Sequence, residues 1–236
     1  MKIAVMTDVH GNLPALEAAL EVIKSENCDA IYHTGDAIAI GPYPLECLEL
    51  MLENNVRLLM GNHEEYYAFG IPEPRPRYMS DGELEHQLWV RSVIGEGYRE
   101  LVAAFPYKLT ECFHNHTVVF THYPRKSDTK EFLESEKYLD RRFLDRMFNE
   151  DIADLVFYGH NHSVMDTVGR ARYVNPGALG CSGDEAFARF VIVDFHYYSY
   201  DLKHYCVPYD DKGLFRAFVE RQVPERNFIK KAFFKR

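Results

Sequence analysis

The sequence predicts an α/β protein on two sheets, from three observations. Short apolar runs alternate with amphipathic helical stretches through the first sixty or so positions, each run stops at a short polar motif, and the later half carries further strand-like segments. Residues 3–6 are apolar up to Thr7 and Asp8, a buried strand that ends at a loop. Leu16, Ala19, Leu20 and Ile23 then recur at helical spacing, with Asn12 as N-cap and Pro14 in the first turn. Residues 30–33, 45–52 and 56–60 continue as strand, helix and strand, so a parallel sheet with helices packed on it is expected. Residues 64–105 turn helical and polar around Pro72, Pro74 and Pro76, which reads as a helical insertion. Strands at 117–121, 155–158, 172–174, 190–194 and 197–202 suggest the second sheet, with a helix near 138–149. The basic end, Lys230, Lys231, Lys235 and Arg236, reads as a solvated helix end.

The 236 residues suffice for one large domain, expected over 1–236. With 47% hydrophobic and 27% charged residues the chain is ordinary for a globular protein, and a net charge of −9 argues against a nucleic-acid polymer or an anionic membrane as partner. Five scattered cysteines without a C-x-x-C pair fit free thiols in a reducing compartment, and the short apolar start is no signal peptide, so a cytoplasmic location is expected.

The polar motifs carry the chemistry. Asp8 and His10 follow the first strand in DVHG, and a carboxylate beside an imidazole makes half a shell for a divalent transition metal, although D-x-H alone is common in loops. Asp36 in GD follows the second strand, and Asn62 and His63 in GNHE follow the third. The carboxyl ends of parallel strands are where open α/β sheets bind ligands. His122 follows VVFT, and His160 and His162 in GHNH follow LVFY. The remaining histidines, His33, His86, His114, His116, His196 and His204, read as surface or hydrogen-bonded structural groups, with His33 a candidate to support a ligand. Glu64 and Glu65 read as helix-start residues favoured by the macrodipole. Gly11, Gly35, Gly61 and Gly159 flank the ligands, either as turn glycines or to allow close approach.

The blocks DVHG, GD, GNHE, THY and GHNH, in that order, resemble the calcineurin-like metallophosphoesterase superfamily, whose pattern is D-x-H, GD, GNH-[DE], H and GHxH. NPGALG, followed by Arg189 and FVIVD, is similar to the NPGSVG stretch of its small bacterial and archaeal phosphodiesterase-like branch. The resemblance implies a four-layer αββα sandwich of two mixed sheets. It also implies two divalent metal ions, one on Asp8, His10 and His162, the other on Asn62, His122 and His160, with Asp36 bridging them. A hydroxide between the ions would be the nucleophile, the pKa of its parent water falling from 15.7 toward about 7. His63 is then the residue that protonates or stabilises the departing alkoxide rather than a ligand. Mixed nitrogen and oxygen donors suit manganese or iron, with zinc, cobalt and nickel compatible.

GD continues here as AIAIGPYP, not as the VDRG of the superfamily's protein phosphatases, which counts against a protein substrate. The expected activity is hydrolysis of a small-molecule phosphodiester. Hydrolysis of a dinucleoside polyphosphate such as diadenosine tetraphosphate, or of a phosphomonoester, is the alternative. A catalytically silent binding scaffold is a different class, and the filled ligand positions argue against it. Asn175 is either an orienting contact for a histidine ligand or a turn residue; Arg189, Arg125 and Tyr123 read as structural or surface groups, and Cys181 as a small buried one. The amphipathic insertion is a candidate lid or homo-oligomer contact.

Overall fold

The apolar run after Met1 forms β1 (Lys2–Met6), and Asn12 caps α1 (Leu13–Ser25) by accepting the Ala15 N–H at 3.2 Å, with Pro14 in the first turn. The alternation continues through β2 (Ala30–His33), α2 (Pro44–Glu53) and β3 (Arg57–Leu58). A computed structural model describes residues 1–126, 132–133, 139–183 and 185–236. Helices α3 (Asn62–Phe69), α4 (Asp81–Ile94) and α5 (Arg99–Ala103) follow. The chain then forms β4 (Lys108–Phe113), β5 (His116–Thr121), α6 (Arg141–Met147), β6 (Leu155–Phe157), β7 (Met165–Val168) and β8 (Arg172–Asn175). It ends with β9 (Phe187–Phe195), β10 (Tyr200–Pro208), α7 (Lys212–Glu220) and α8 (Arg226–Phe233).

Two mixed five-stranded sheets result, ordered β10-β9-β1-β2-β3 and β4-β5-β6-β8-β7. Because successive side chains of a strand point to opposite faces, each inner strand serves two cores. Ile3, Val5, Val191 and Val193 meet Val118, Phe120, Leu155 and Phe157 between the sheets. Their neighbours Ala4, Met6, Phe190 and Ile192 turn outward to Leu16, Leu20 and Leu48 of α1 and α2. On the far side, Val119 and Val156 pack on Leu144 and Phe148 at α6. The four-layer αββα sandwich follows from that period of two. Tyr32 stacks on Phe120 across the seam at 4.2 Å, so truncating Phe120 to alanine would cost about 3–5 kcal/mol.

The structure corrects several expected elements. Segments 190–194 and 197–202 belong to the first sheet, not the second: β9 runs antiparallel to β1 with Asp194 opposite Lys2, and β10 runs antiparallel to β9. The first sheet is therefore mixed, as the family resemblance implies, rather than parallel as the alternation of elements alone suggests. Alternation identifies a strand and its buried face, but pairing partners are chosen by tertiary packing. The last strand starts at Tyr200, after a turn in which the His196 N–H donates to Ser199 O at 2.8 Å. Edge strands β4 and β7 lie where none was expected; both are partly exposed and carry charge within the strand. Helix α3 begins at Asn62, two residues before the expected insertion boundary at 64. The helix expected at 138–149 is α6, and Tyr138 lies outside the described residues. No described helix is long and apolar enough to cross a membrane.

Candidate metal centre

Each polar motif begins where a strand ends. β1 runs into Asp8 and His10, β2 into Asp36, β3 into Asn62 and His63, β5 into His122, and β6 into His160 and His162. Backbone hydrogen bonds lace these loops together: Asp8 N–H to Gly35 O at 3.1 Å, His10 N–H to Asp36 O at 3.0 Å, and Gly159 N–H to His122 O at 2.8 Å. The NPGALG loop joins them through Gly180 N–H to Asp8 O at 3.0 Å. Asp8, His10, Asp36, His160 and His162 all have φ between 49° and 74°. Left-handed backbone at a non-glycine residue costs about 1–3 kcal/mol and persists only where the surroundings over-determine it, a pattern typical of functional sites. Gly61 and Gly159 answer the other constraint, close approach: a Cβ on the first would collide with Asp36 and Glu64, and on the second with Thr7 and Asp8.

The side chains form two clusters. In one, His10 Nε2 and His162 Nε2 are 2.8 Å apart and each is 3.7 Å from Asp8 Oδ1. In the other, Asn62 Oδ1 lies 3.2 Å from His122 Nε2 and 3.0 Å from His160 Nδ1, and Asp36 Oδ2 lies 3.1 Å from His122 Nε2. Asp36 Oδ2 is also 4.0 Å from His10 Nε2, so it stands between them. His63 Nε2 is likewise 4.0 Å from Asp36 Oδ2, and geometry alone would admit His63 as a donor beside His10 and Asp36. All eight residues singled out from the sequence are thus brought together.

A sequence model of the Calcineurin-like phosphoesterase family matches residues 1–222. The chain belongs to that family. Membership implies phosphoester hydrolysis and the use of divalent metals. The chain is similar to an uncharacterized protein of Methanocaldococcus jannaschii, 28% identical over 240 residues and 94% of each chain. The fold matches that of a hypothetical protein from Pyrococcus horikoshii OT3, with TM-score 0.81, 21% identity, and 99% of this chain and 98% of that one covered. It also matches a metallophosphoesterase from Sphaerobacter thermophilus, with TM-score 0.71, 21% identity, and 97% and 96% covered. A shorter likeness, 29% identical over 99 residues and 37% of each chain, is to a symmetrical bis(5'-nucleosyl)-tetraphosphatase of Haemophilus ducreyi.

The donor set of this calcineurin-like phosphoesterase fits divalent cations. Burial pushes His10 well below its ordinary value, His160 to about 3 and His162 to about 4, which keeps these imidazoles neutral, the form that ligates a metal. Burial lifts the Asp8 carboxyl to about 7, with His122 opposing and Asp36 adding. At Asp36 burial also pushes upward, but His122 and His63 outweigh it and hold the carboxyl well below its usual range. At His122 burial pushes downward, and the Asp36 carboxylate outweighs it, raising the imidazole to about 9. Without metal, then, a proton on His122 balances Asp36. A divalent cation would compete for the same two groups.

Sequence reading undervalued two residues at this centre. Glu64 does start α3, where its Oε2 accepts the Gly61 N–H at 2.9 Å as in a capping box. Fully buried, it also accepts the Asp36 and Ala37 N–H groups at 2.8 Å and that of Ile38 at 3.3 Å. It therefore clamps the Asp36 loop to the helix that presents Asn62. Gln87 of α4 was missed, having no motif around it; its Nε2 lies 2.7 Å from His63 Nδ1. With that amide N–H as donor, the ring proton of His63 sits on Nε2, the nitrogen facing Asp36. Asn175 holds the GHNH loop through Gly159 O at 3.2 Å and Asn161 Oδ1 at 2.8 Å. His33 accepts the Gly35 N–H at 3.3 Å, His86 accepts that of Ile40 at 2.8 Å, and Arg125 pairs with Glu65 at 2.8 Å, so these three are supporting groups. Cys181 is buried among apolar neighbours.

Proposed function

We propose that this protein hydrolyses a small-molecule phosphodiester with two divalent metal ions, manganese or iron before zinc, cobalt or nickel. The observation that carries this reading is the pair of donor clusters meeting at one buried carboxylate: Asp8, His10 and His162 on one side, Asn62, His122 and His160 on the other, and Asp36 between. The metals would supply an acidified water, with pKa near about 7, and charge neutralisation for the phosphate oxygens. Asp36 would contribute to holding both ions, and the Asn62 amide would offer an oxygen without adding negative charge. Strained loops and the Glu64 clamp hold these donors at fixed separations before substrate arrives. His63 would donate a hydrogen bond from Nε2 to the departing alkoxide oxygen, which takes its proton from water, with Gln87 fixing the ring through Nδ1.

A dinucleoside polyphosphate substrate is the second reading, favoured by partial likeness to symmetrical bis(5'-nucleosyl)-tetraphosphatases over 37% and 24% of this chain. The test is a panel of phosphodiesters, phosphomonoesters and dinucleoside polyphosphates with manganese-loaded protein. Diester hydrolysis that chelation abolishes is the expected outcome. Inactivity on every ester across several metals would leave the binding scaffold as the better account.

A further inference from the structure

A cavity of about 480 Å³ opens beside the Asn62 and His160 face of the metal centre, and its outer wall comes from Tyr66 of α3, Tyr78 in the loop that follows, Glu83 of α4, and Phe132. The Tyr66 and Tyr78 hydroxyls are hydrogen-bonded to each other at 2.9 Å, which joins helix to loop. Phe132 lies nearly parallel to the His160 ring, at 20° and 6.3 Å between centroids, so the aromatic wall reaches the centre itself. Glu83 is the odd member. Its backbone N–H is capped by Ser80 Oγ at 3.1 Å, yet among the described residues its carboxylate makes no hydrogen bond or ion pair, and the His63 ring is the one group acting on its charge. The other carboxylate of the wall, Glu65, is already paired with Arg125 at 2.8 Å and Tyr107 at 2.7 Å.

We infer that this cavity seats the nucleoside portion of the substrate, with the aromatic side chains packing on its base and the Glu83 carboxylate accepting from a donor edge of that base. The inference rests on the phosphodiesterase reading above and narrows its substrate class. A half-buried carboxylate with no ion pair among the described residues repels a second phosphate, so the group entering here is uncharged or cationic. Apolar and aromatic walls favour a planar ring, and the volume falls in the ordinary range for a small-molecule site. A carboxylate has acceptors only. Guanine, with N1–H beside its 2-amino group, is the base edge that fills both oxygens. A quaternary ammonium would also suit aromatic rings beside a carboxylate, but a headgroup of that size leaves most of 480 Å³ unfilled.

Binding is measured first, on metal-free protein, by saturation-transfer NMR with guanosine, inosine and choline as probes. Guanosine should bind at least fivefold more tightly than inosine. Glu83→Gln should remove that difference, and Tyr78→Ala, at a position 69% exposed, should weaken both nucleosides. Hydrolysis is measured second, as the ratio of kcat/KM for a guanosine 5′-p-nitrophenyl phosphodiester to that for bis(p-nitrophenyl) phosphate, which should fall at least tenfold in each variant. An unchanged ratio, no nucleoside binding, or Glu83-dependent binding of choline instead of guanosine overturns the inference while leaving the phosphodiesterase reading intact. Guanosine binding without hydrolysis of any diester overturns the phosphodiesterase reading and supports the nucleoside seat.

Discussion

At the metal centre Asp8, His10, Asp36, His122, His160 and His162 hang from strand-end loops bonded to neighbouring loops through their backbones, Asn62 and His63 open helix α3, and the Asp36 backbone is additionally gripped by Glu64. The cavity beside it is furnished mostly from helices α3 and α4 and the loop joining them; Glu65 is held by Arg125 and Tyr107 and Tyr66 by Tyr78, while Tyr78 itself is largely exposed. One region is over-determined and strained, the other is held by side-chain contacts and partly exposed. The difference suggests a division of labour in which the sheets fix the chemistry and the insertion selects the group attached to phosphate. Substitutions should separate the two.

The largest effect is expected at Asp36, the carboxylate common to both clusters. Asp36→Asn should lower kcat on bis(p-nitrophenyl) phosphate by at least about a thousandfold, since it removes the charge that would hold both ions. Elemental analysis should find fewer than two metals per chain. Full metal content with full activity would show that the clusters are not joined through this residue. Next comes His63→Ala, expected to retain both metals and lose about 10²–10³ in rate, the range for one hydrogen-bond donor aimed at developing negative charge. Loss of metal alongside activity would instead make His63 a ligand, as its 4.0 Å approach to Asp36 allows.

Most of the centre was legible because its residues sit where strands stop, and strand ends announce themselves as apolar runs meeting DVHG, GD, GNHE, THY and GHNH. Sheet membership was not. Segments β9 and β10 alternate just as second-sheet strands do, and only packing against β1 assigns them. Glu64 was visible as the last letter of GNHE but read as a helix start, because its bonds to the Asp36 loop span about 27 positions of chain. Gln87 carried no local signal at all. A polar residue on the buried side of an amphipathic helix is the nearest thing to one, and the burial becomes known only when α4 docks against α3.

Gln87 offers a smaller and sharper test of that docking. Removing its amide leaves the His63 ring in place but free to change tautomer, so Gln87→Ala should reduce kcat by about tenfold with little change in KM or metal content. Gln87→Glu should not rescue that loss, because a carboxylate can only accept and cannot replace the amide N–H that faces His63 Nδ1. Equal KM and kcat losses in both variants would place Gln87 in the fold rather than in orienting His63.

The smallest effect concerns stability and pH. In the metal-free chain His122 is raised to about 9 and Asp8 to about 7, above their unfolded values of 6.5 and 3.8. Each therefore stabilises the fold fully below its unfolded value and loses that contribution as pH rises through its folded one. A metal on these donors replaces both protons, so its stabilising effect should grow between pH 6 and 9. One displaced proton changes apparent affinity about tenfold per pH unit, or about 1.4 kcal/mol, which for a chain of this length moves Tm by roughly 3–6 °C. Thermal melts with saturating manganese and with chelator, compared at pH 6, 7 and 8, measure the gap directly. A gap that stays flat or narrows as pH rises would mean that metal leaves those protons in place, and would remove Asp8 and His122 from the proposed ligand set.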